Sequence, residues 1–149
     1  MSSAYEEVRA RMESGRLYRD FGDGLEALEA ERTACKELLY DFNTSRPSEV
    51  ERRGELLTQL LGSVGAGAWI EPPLNVAYGS TVHIGDGFYA NANLVLVDDG
   101  EVHIGDFVMI APNVTISTTG HPIHPDVRRG GAQFSLPVHI GDDGSAPTS

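Results

Sequence analysis

At 149 residues, with a formal net charge of −11 and 40% hydrophobic residues, the chain has the size and core-forming capacity of one ordinary domain, or of a short solenoid with a small helical cap. The acidic balance argues against nucleic acid, whose phosphates it would repel. Cys35 is the sole cysteine, which excludes an intramolecular disulfide, and no apolar run is of bilayer length, so the chain reads as cytoplasmic.

Residues 1–63 are predicted to be helical. An amphipathic stretch from Tyr5 to Met12 stops near Gly15. A second, over 25–42, is rich in the strong helix formers Ala, Glu and Leu. It holds Cys35 in the setting of a small buried hydrophobe rather than of a nucleophile. Ser48-x-x-Glu51 has the form of a capping box, with Val50, Leu56, Leu57, Leu60 and Leu61 on one broad face and Gly62 and Gly65 ending the helix.

From Ala68 onward the pattern changes. Trp69-Ile70-Glu71-Pro72-Pro73 reads as a first, irregular coil, its prolines suited to a corner or exposed edge. A phrase then recurs: Val82-His83-Ile84-Gly85-Asp86, Val102-His103-Ile104-Gly105-Asp106 and Val138-His139-Ile140-Gly141-Asp142. Between the copies apolar residues keep a period of six. Ile84, Ala90 and Leu96 form one run and Ile104, Ile110 and Ile116 the next; Val82, Phe88, Leu94 and Val102, Val108, Val114 run two residues earlier. Neither a helix nor simple alternation has that period. It predicts a parallel β-helix, with three hexapeptides to a triangular coil of about 18 residues. The period lapses between Ile116 and Ile140, over a stretch holding Thr118-Thr119-Gly120-His121-Pro122-Ile123-His124. A long insertion in a regular solenoid points to function. The predicted organisation is a helical segment over 1–63, a β-helix over 64–143 with a loop insertion at 117–137, and a disordered tail at 144–149.

Several side chains suit chemistry. His121, at the departure of the long loop, is either a proton acceptor or a corner filler before Pro122. His121-x-x-His124 is too sparse for a zinc site, so no metal is expected. His83, His103 and His139 sit between inward positions and are predicted to stack outward as solvated imidazoles, in preference to a metal or proton site. Asn93 and Asn113 suit an asparagine ladder at a corner. Asp98 suits a turn, and Arg128-Arg129 a solvated loop edge.

Eight phrases in order, Tyr40-Asp41-Phe42-Asn43, Pro47-Ser48-Glu49, Glu71-Pro72-Pro73, Tyr78-Gly79-Ser80, Phe88-Tyr89-Ala90-Asn91-x-Asn93, Val97-Asp98-Asp99, Ile110-Ala111-Pro112-Asn113-Val114 and Thr119-Gly120-His121-Pro122, resemble the maltose and galactoside O-acetyltransferases of the hexapeptide-repeat superfamily. The resemblance implies a left-handed β-helix, an exception to the usual crossover hand. It further implies a homotrimer with active sites between neighbours, and transfer of acetyl from acetyl-CoA to a sugar hydroxyl.

By the same resemblance His121 is the catalytic base, in a direct transfer without an acyl-enzyme. Asn91 contacts acceptor and acetyl group, and Asp99 and Asp20 bind the acceptor, Asp20 from the N-terminal helical segment. Ala77 stands where relatives carry a hydroxyl. Relatives continue past Ile-Gly-Asp-Asp with further coils, so the chain reads as truncated after Asp143, with donor binding the affected function. A catalytically impaired trimeric scaffold is the competing expectation, and a metal-dependent lyase on the same helix a third.

Overall fold

The computed structural model describes residues 1–146. Three helices lead. α1 (Ala4–Ser14) starts with a reciprocal capping box between Ser3 and Glu6 and stops at Gly15, whose φ of 75° a side chain would resist. α2 (Glu26–Asn43) buries Leu28, Cys35, Leu39 and Phe42 along one stripe. α3 (Val50–Leu60) buries Leu56, Leu57 and Leu60. The expected Ser48 capping box does not form. The turn closed by Glu49 N–H donating to the Arg46 carbonyl moves the helix start past Ser48, and the cap residue Glu49 makes no side-chain bond. Val50 falls off the apolar face and is exposed. Among the described residues no helix is long and apolar enough to cross a membrane.

Short strands follow, three to a coil. β1 (Ser63–Val64), β2 (Trp69–Ile70) and β3 (Leu74–Val76) make the first, so the solenoid starts at Ser63 rather than at Ala68. β4 (Val82–Ile84), β5 (Tyr89–Ala90) and β6 (Leu94–Val97) make the second, and β7 (Val102–Ile104), β8 (Met109–Ile110) and β9 (Thr115–Ser117) the third. An insertion carries β10 (Thr119–Gly120), α4 (Pro125–Arg129) and β11 (Phe134–Ser135), after which β12 (Val138–Ile140) and β13 (Ser145–Ala146) rejoin the walls. The walls are parallel sheets in the orders β1-β4-β7-β12, β2-β5-β8-β13 and β3-β6-β9. This is the left-handed hexapeptide β-helix, preceded by helices.

The two hexad registers supply the interior. Val82, Phe88, Leu94, Val102, Val108, Ala90, Leu96 and Ile110 are all buried, while the residues between them face out. Truncating Phe88, wholly enclosed, would cost about 3–5 kcal/mol. At the N-terminal end Cys35, Leu39, Phe42, Leu57 and Leu60 close the same core. The Asn43 amide donates to the Leu74 carbonyl and accepts from the Leu74 N–H, both at 2.8 Å, thereby satisfying the edge of β3. Cys35 is buried, and burial pushes its thiol up to about 12, which leaves it inert.

The coil is longer than the hexads alone require. Partners in successive coils, such as Val82 with Val102 and His83 with His103, stand 20 residues apart rather than 18. The two additional residues fall at one corner, between the wall of β3, β6 and β9 and the wall of β4, β7 and β12. Residues 77–81 and 97–101 turn it in the first two coils, and 117–137 in the next, where Val138 pairs with Val102 across 36 residues. The other corners are tight. Asn93 and Asn113 occupy one of them with φ of 67° and 61°, and Asn93 Nδ2 donates to Asn113 Oδ1 at 2.9 Å, the predicted ladder. The predicted tail also needs correction. Ser145 and Ala146 pair with Met109 and Ile110, because a parallel edge takes any segment that arrives in register; residues 147–149 lie outside the described residues.

Candidate active site

The long corner gathers most of the candidates. Asp98 builds it. Its enclosed carboxylate accepts from the N–H groups of Ala77 (2.7 Å), Tyr78 (3.0 Å) and Gly79 (2.7 Å) and from the Thr81 hydroxyl (2.8 Å), which fixes the corner of the coil before. Its expected turn role is therefore met between coils. Asp99 turns the other way, toward the insertion.

That insertion is a hairpin rather than an open loop. β10 and β11 pair antiparallel, Thr119 opposite Ser135 and Gly120 opposite Phe134. Thr118 Oγ1 pins its base, donating to the Val97 carbonyl (2.6 Å) and accepting from Gly100 N–H (2.9 Å). A strap between α1 and α2 then crosses it. The N–H of Tyr18 donates to the Gln133 carbonyl and the N–H of Gln133 to the Tyr18 carbonyl, each at 2.9 Å. Phe21 lies against Gly131, where a β-carbon would meet its ring at 2.7 Å.

Tyr18, Gln133, Ser135 and Asp99 form one network. Gln133 Nε2 donates to both the Tyr18 oxygen and Asp99 Oδ2, at 3.0 Å. The phenol lies 2.5 Å from Ser135 Oγ and donates to Asp99 Oδ2 at 3.2 Å. Two bonds to one oxygen commit Oδ2 to the protein. Burial pushes the Asp99 carboxyl above its ordinary value and the charge of Asp20 adds to the push, against the hydroxyls of Tyr18 and Thr119. Burial also lifts the Tyr18 phenol to about 12, which keeps it a neutral donor.

Asp20 sits on the strap, between the first two helices of the N-terminal segment. The Arg32 guanidinium holds it, with Nη2 to the Asp20 carbonyl at 2.9 Å and Nη1 to Oδ2 at 3.5 Å, and Nη1 also donates to Tyr78 Oη at 2.8 Å. His121 follows β10 and is exposed; its Nδ1 faces the Ala132 carbonyl at 3.4 Å. A carbonyl only accepts, so that contact requires the proton on Nδ1 and leaves Nε2 as the basic nitrogen. His124 does other work, accepting the Asp126 N–H as the cap of α4. Arg128 reaches the Pro122 and Ile123 carbonyls and Arg129 reaches Asp126, so the basic pair is spent within its own loop.

Asn91 stands apart. It turns the next corner, beyond the width of β6, with its Oδ1 accepting from Ala92 N–H at 2.7 Å. It borders an open groove of about 440 Å³ with Tyr89, Met109, Pro112 and Ala146. Within one chain, then, Asp20, Asp99 and His121 share a corner and Asn91 does not. Tyr18, Arg32, Gln133 and Ser135 escaped the sequence reading. No local pattern marks any of the four, because their partners lie far away in the chain.

Known proteins resemble this chain in sequence and fold. The profile of the maltose acetyltransferase hexapeptide capping motif matches residues 11–65. Galactoside O-acetyltransferase of Escherichia coli (strain K12) is 49% identical over 133 residues, 89% of this chain and 64% of that protein. A solved galactoside acetyltransferase in complex with coenzyme A superposes with a TM-score of 0.82 at 43% identity, covering 93% of this chain and 74% of that one. A maltose O-acetyltransferase from Clostridium difficile 630 gives 0.83 at 35% identity, covering 94% and 76%. The chain belongs to the maltose and galactoside O-acetyltransferase family of hexapeptide-repeat proteins, as its eight phrases implied. It spans 64% of the length of the Escherichia coli relative.

Proposed function

We propose that the chain is an acetyltransferase that moves acetyl from acetyl-CoA to a hydroxyl of a galactoside- or maltose-type sugar. One observation carries this: Asp99 at the long corner lies within the electrostatic reach of Asp20, beside the hairpin whose strand β10 leads into His121. The relatives' names and the solved complex with coenzyme A support the donor and acceptor classes.

An alcohol is a poor nucleophile at neutral pH, so the transfer needs a base. In this reading Asp99 Oδ1 and Asp20 hold the sugar. His121 Nε2 takes the proton from its hydroxyl while Nδ1–H stays on the Ala132 carbonyl. The sugar oxygen bonds to the thioester carbon, the carbon–sulfur bond breaks, and His121 returns the proton to the departing thiolate. No acyl-enzyme forms. The Asn91 amide, uncharged and able both to donate and to accept, orients acceptor and acetyl group.

Asn91 lies a wall away from His121, so the site is completed between copies, and a homotrimer with one site per interface fits that requirement. The helical segment 1–63 acts as the cap, the β-helix over 64–143 as the frame and the insertion 117–137 as the wall of the site. A cytoplasmic setting, where acetyl-CoA is plentiful, suits the activity.

The test is coenzyme A thiol release across maltose, glucosides and galactosides. His121→Ala is expected to lose roughly 10²–10⁴-fold in kcat/KM with its assembly unchanged. Co-refolded His121→Ala and Asn91→Ala chains regain activity that neither has alone, since some interfaces unite both native residues. Release unaffected by His121→Ala sinks the mechanism, and no release with any sugar favours the non-catalytic scaffold.

A further inference from the structure

The wall β1-β4-β7-β12 carries a second constellation, which starts where the long corner ends. Its outward positions bring His83, His103 and His139 into register. Their rings stack nearly parallel, 4.8 and 4.9 Å between centroids, as the rung spacing dictates. This much the repeat predicts.

What it does not predict is Glu101. Glu101 lies on the corner before β7 and aims one oxygen at two neighbouring rings. Its Oε2 is 2.9 Å from His83 Nε2 and 3.6 Å from His103 Nε2. On its other side the His83 ring is held from below, with Ser63 Oγ 3.0 Å from Nδ1. The ligand atoms of His83, Glu101 and His103 all lie within 4.8 Å of one another, and their side chains are 33–44% exposed.

We propose that His83, Glu101 and His103 bind a divalent transition ion, Zn²⁺ being the representative. Two imidazole nitrogens and one carboxylate oxygen form the borderline donor set that selects such ions over Mg²⁺ and Ca²⁺, which want oxygen throughout. Zinc bonds of about 2.0–2.2 Å set neighbouring donors of a tetrahedron roughly 3.3 Å apart. The two oxygen-to-nitrogen separations, 2.9 and 3.6 Å, straddle that value. Only the pair of nitrogens must close up, which a modest rotation of half-exposed rings allows. Ser63 contributes by holding His83 Nδ1, so that Nε2 is the nitrogen presented to the ion. Water completes the coordination. The ion spans β4, the corner and β7, so it clamps two successive coils; it takes no part in acetyl transfer.

The experiment is calorimetric titration of the full chain, stripped by chelator, with Zn²⁺ alone, alongside thermal denaturation with and without the ion. One Zn²⁺ per chain and a rise in Tm are expected, because the ion binds the folded state. Glu101→Gln and His103→Ala each weaken binding at least ten-fold with the circular dichroism spectrum unchanged, while His121→Ala leaves it intact. Binding that survives both Glu101→Gln and His103→Ala, that is lost instead in His121→Ala, or that is undetectable at about millimolar Zn²⁺ overturns the proposal. In that last case Glu101 serves only as a hydrogen-bond acceptor for the two rings.

Discussion

The walls and the long corner obey different rules. In the walls each residue repeats the role of the one a coil below: Val82 and Val102, Ala90 and Ile110, Asn93 and Asn113. At the long corner equivalent positions diverge. Tyr78 binds Arg32, Asp99 faces the strap, and the next coil replaces the turn with a hairpin and a helix. Repetition builds a stiff frame because inward residues of one coil stack on inward residues of the next. A site needs unlike groups side by side, and only the corner with spare residues can supply them.

The first way to break this contrast is Asp98→Ala. The change strands three backbone N–H groups in an enclosed corner, at about 1–3 kcal/mol for each group that water fails to reach, while the Thr81 hydroxyl keeps the Asp98 carbonyl as its partner. A loss of about 3 kcal/mol or more in denaturant unfolding is expected, making this acid part of the frame. Its neighbour behaves oppositely. Tyr18→Phe removes the hydroxyl shared by Asp99, Ser135 and Gln133 and is expected to cost about 1–2 kcal/mol. Its larger signature is a raised KM for the sugar, read against an unchanged KM for acetyl-CoA. Asn113→Ala, at a wall-side corner with φ of 61°, is expected to lose about 1 kcal/mol through strain and the broken ladder, with kcat/KM untouched.

The mildest change sharpens the contrast through pH. The folded chain holds the Asp99 proton above the ordinary carboxylate range. As pH rises from that range through the raised value, the unfolded chain releases its proton first, so stability falls across the window. Asp99→Asn is expected to flatten this decline in Tm as pH rises above the ordinary carboxylate range. The variant is as stable as the parent or more so at the upper end, and deficient in sugar-dependent turnover. A steeper decline in the variant would show that Asp99 stabilises the fold as an anion.

What the sequence disclosed follows the same division. The hexads made the walls legible because inward positions are set by local periodicity, and Val82, Phe88 and Leu94 are as enclosed as their spacing implied. The coil length was underestimated because the two additional residues of each coil fall within the corners 77–81 and 97–101, outside the hexad period. The strap was illegible. Tyr18 meets Gln133 across 115 residues, and no pattern within either segment encodes the pairing. Ser48 shows the converse, a local signal present but unused, since the turn at Arg46 takes over the helix start. Asp20, Asn91 and Asp99 were named from the family resemblance alone, and His121 also from its place where the long loop departs. The fold groups three of the four and sets Asn91 apart.

The matched spacing of 20 residues has a genetic reading. An in-frame duplication or loss of one such unit shifts no strand out of register and leaves every inward position inward. The solenoid can therefore lengthen or shorten in single mutational steps, while any other length change would turn core residues out to water. Among the described residues the corner at 117–137 departs from that spacing, and it holds the hairpin and α4. Novelty in such a chain accumulates at that hinge of its grammar, and the rest is copied.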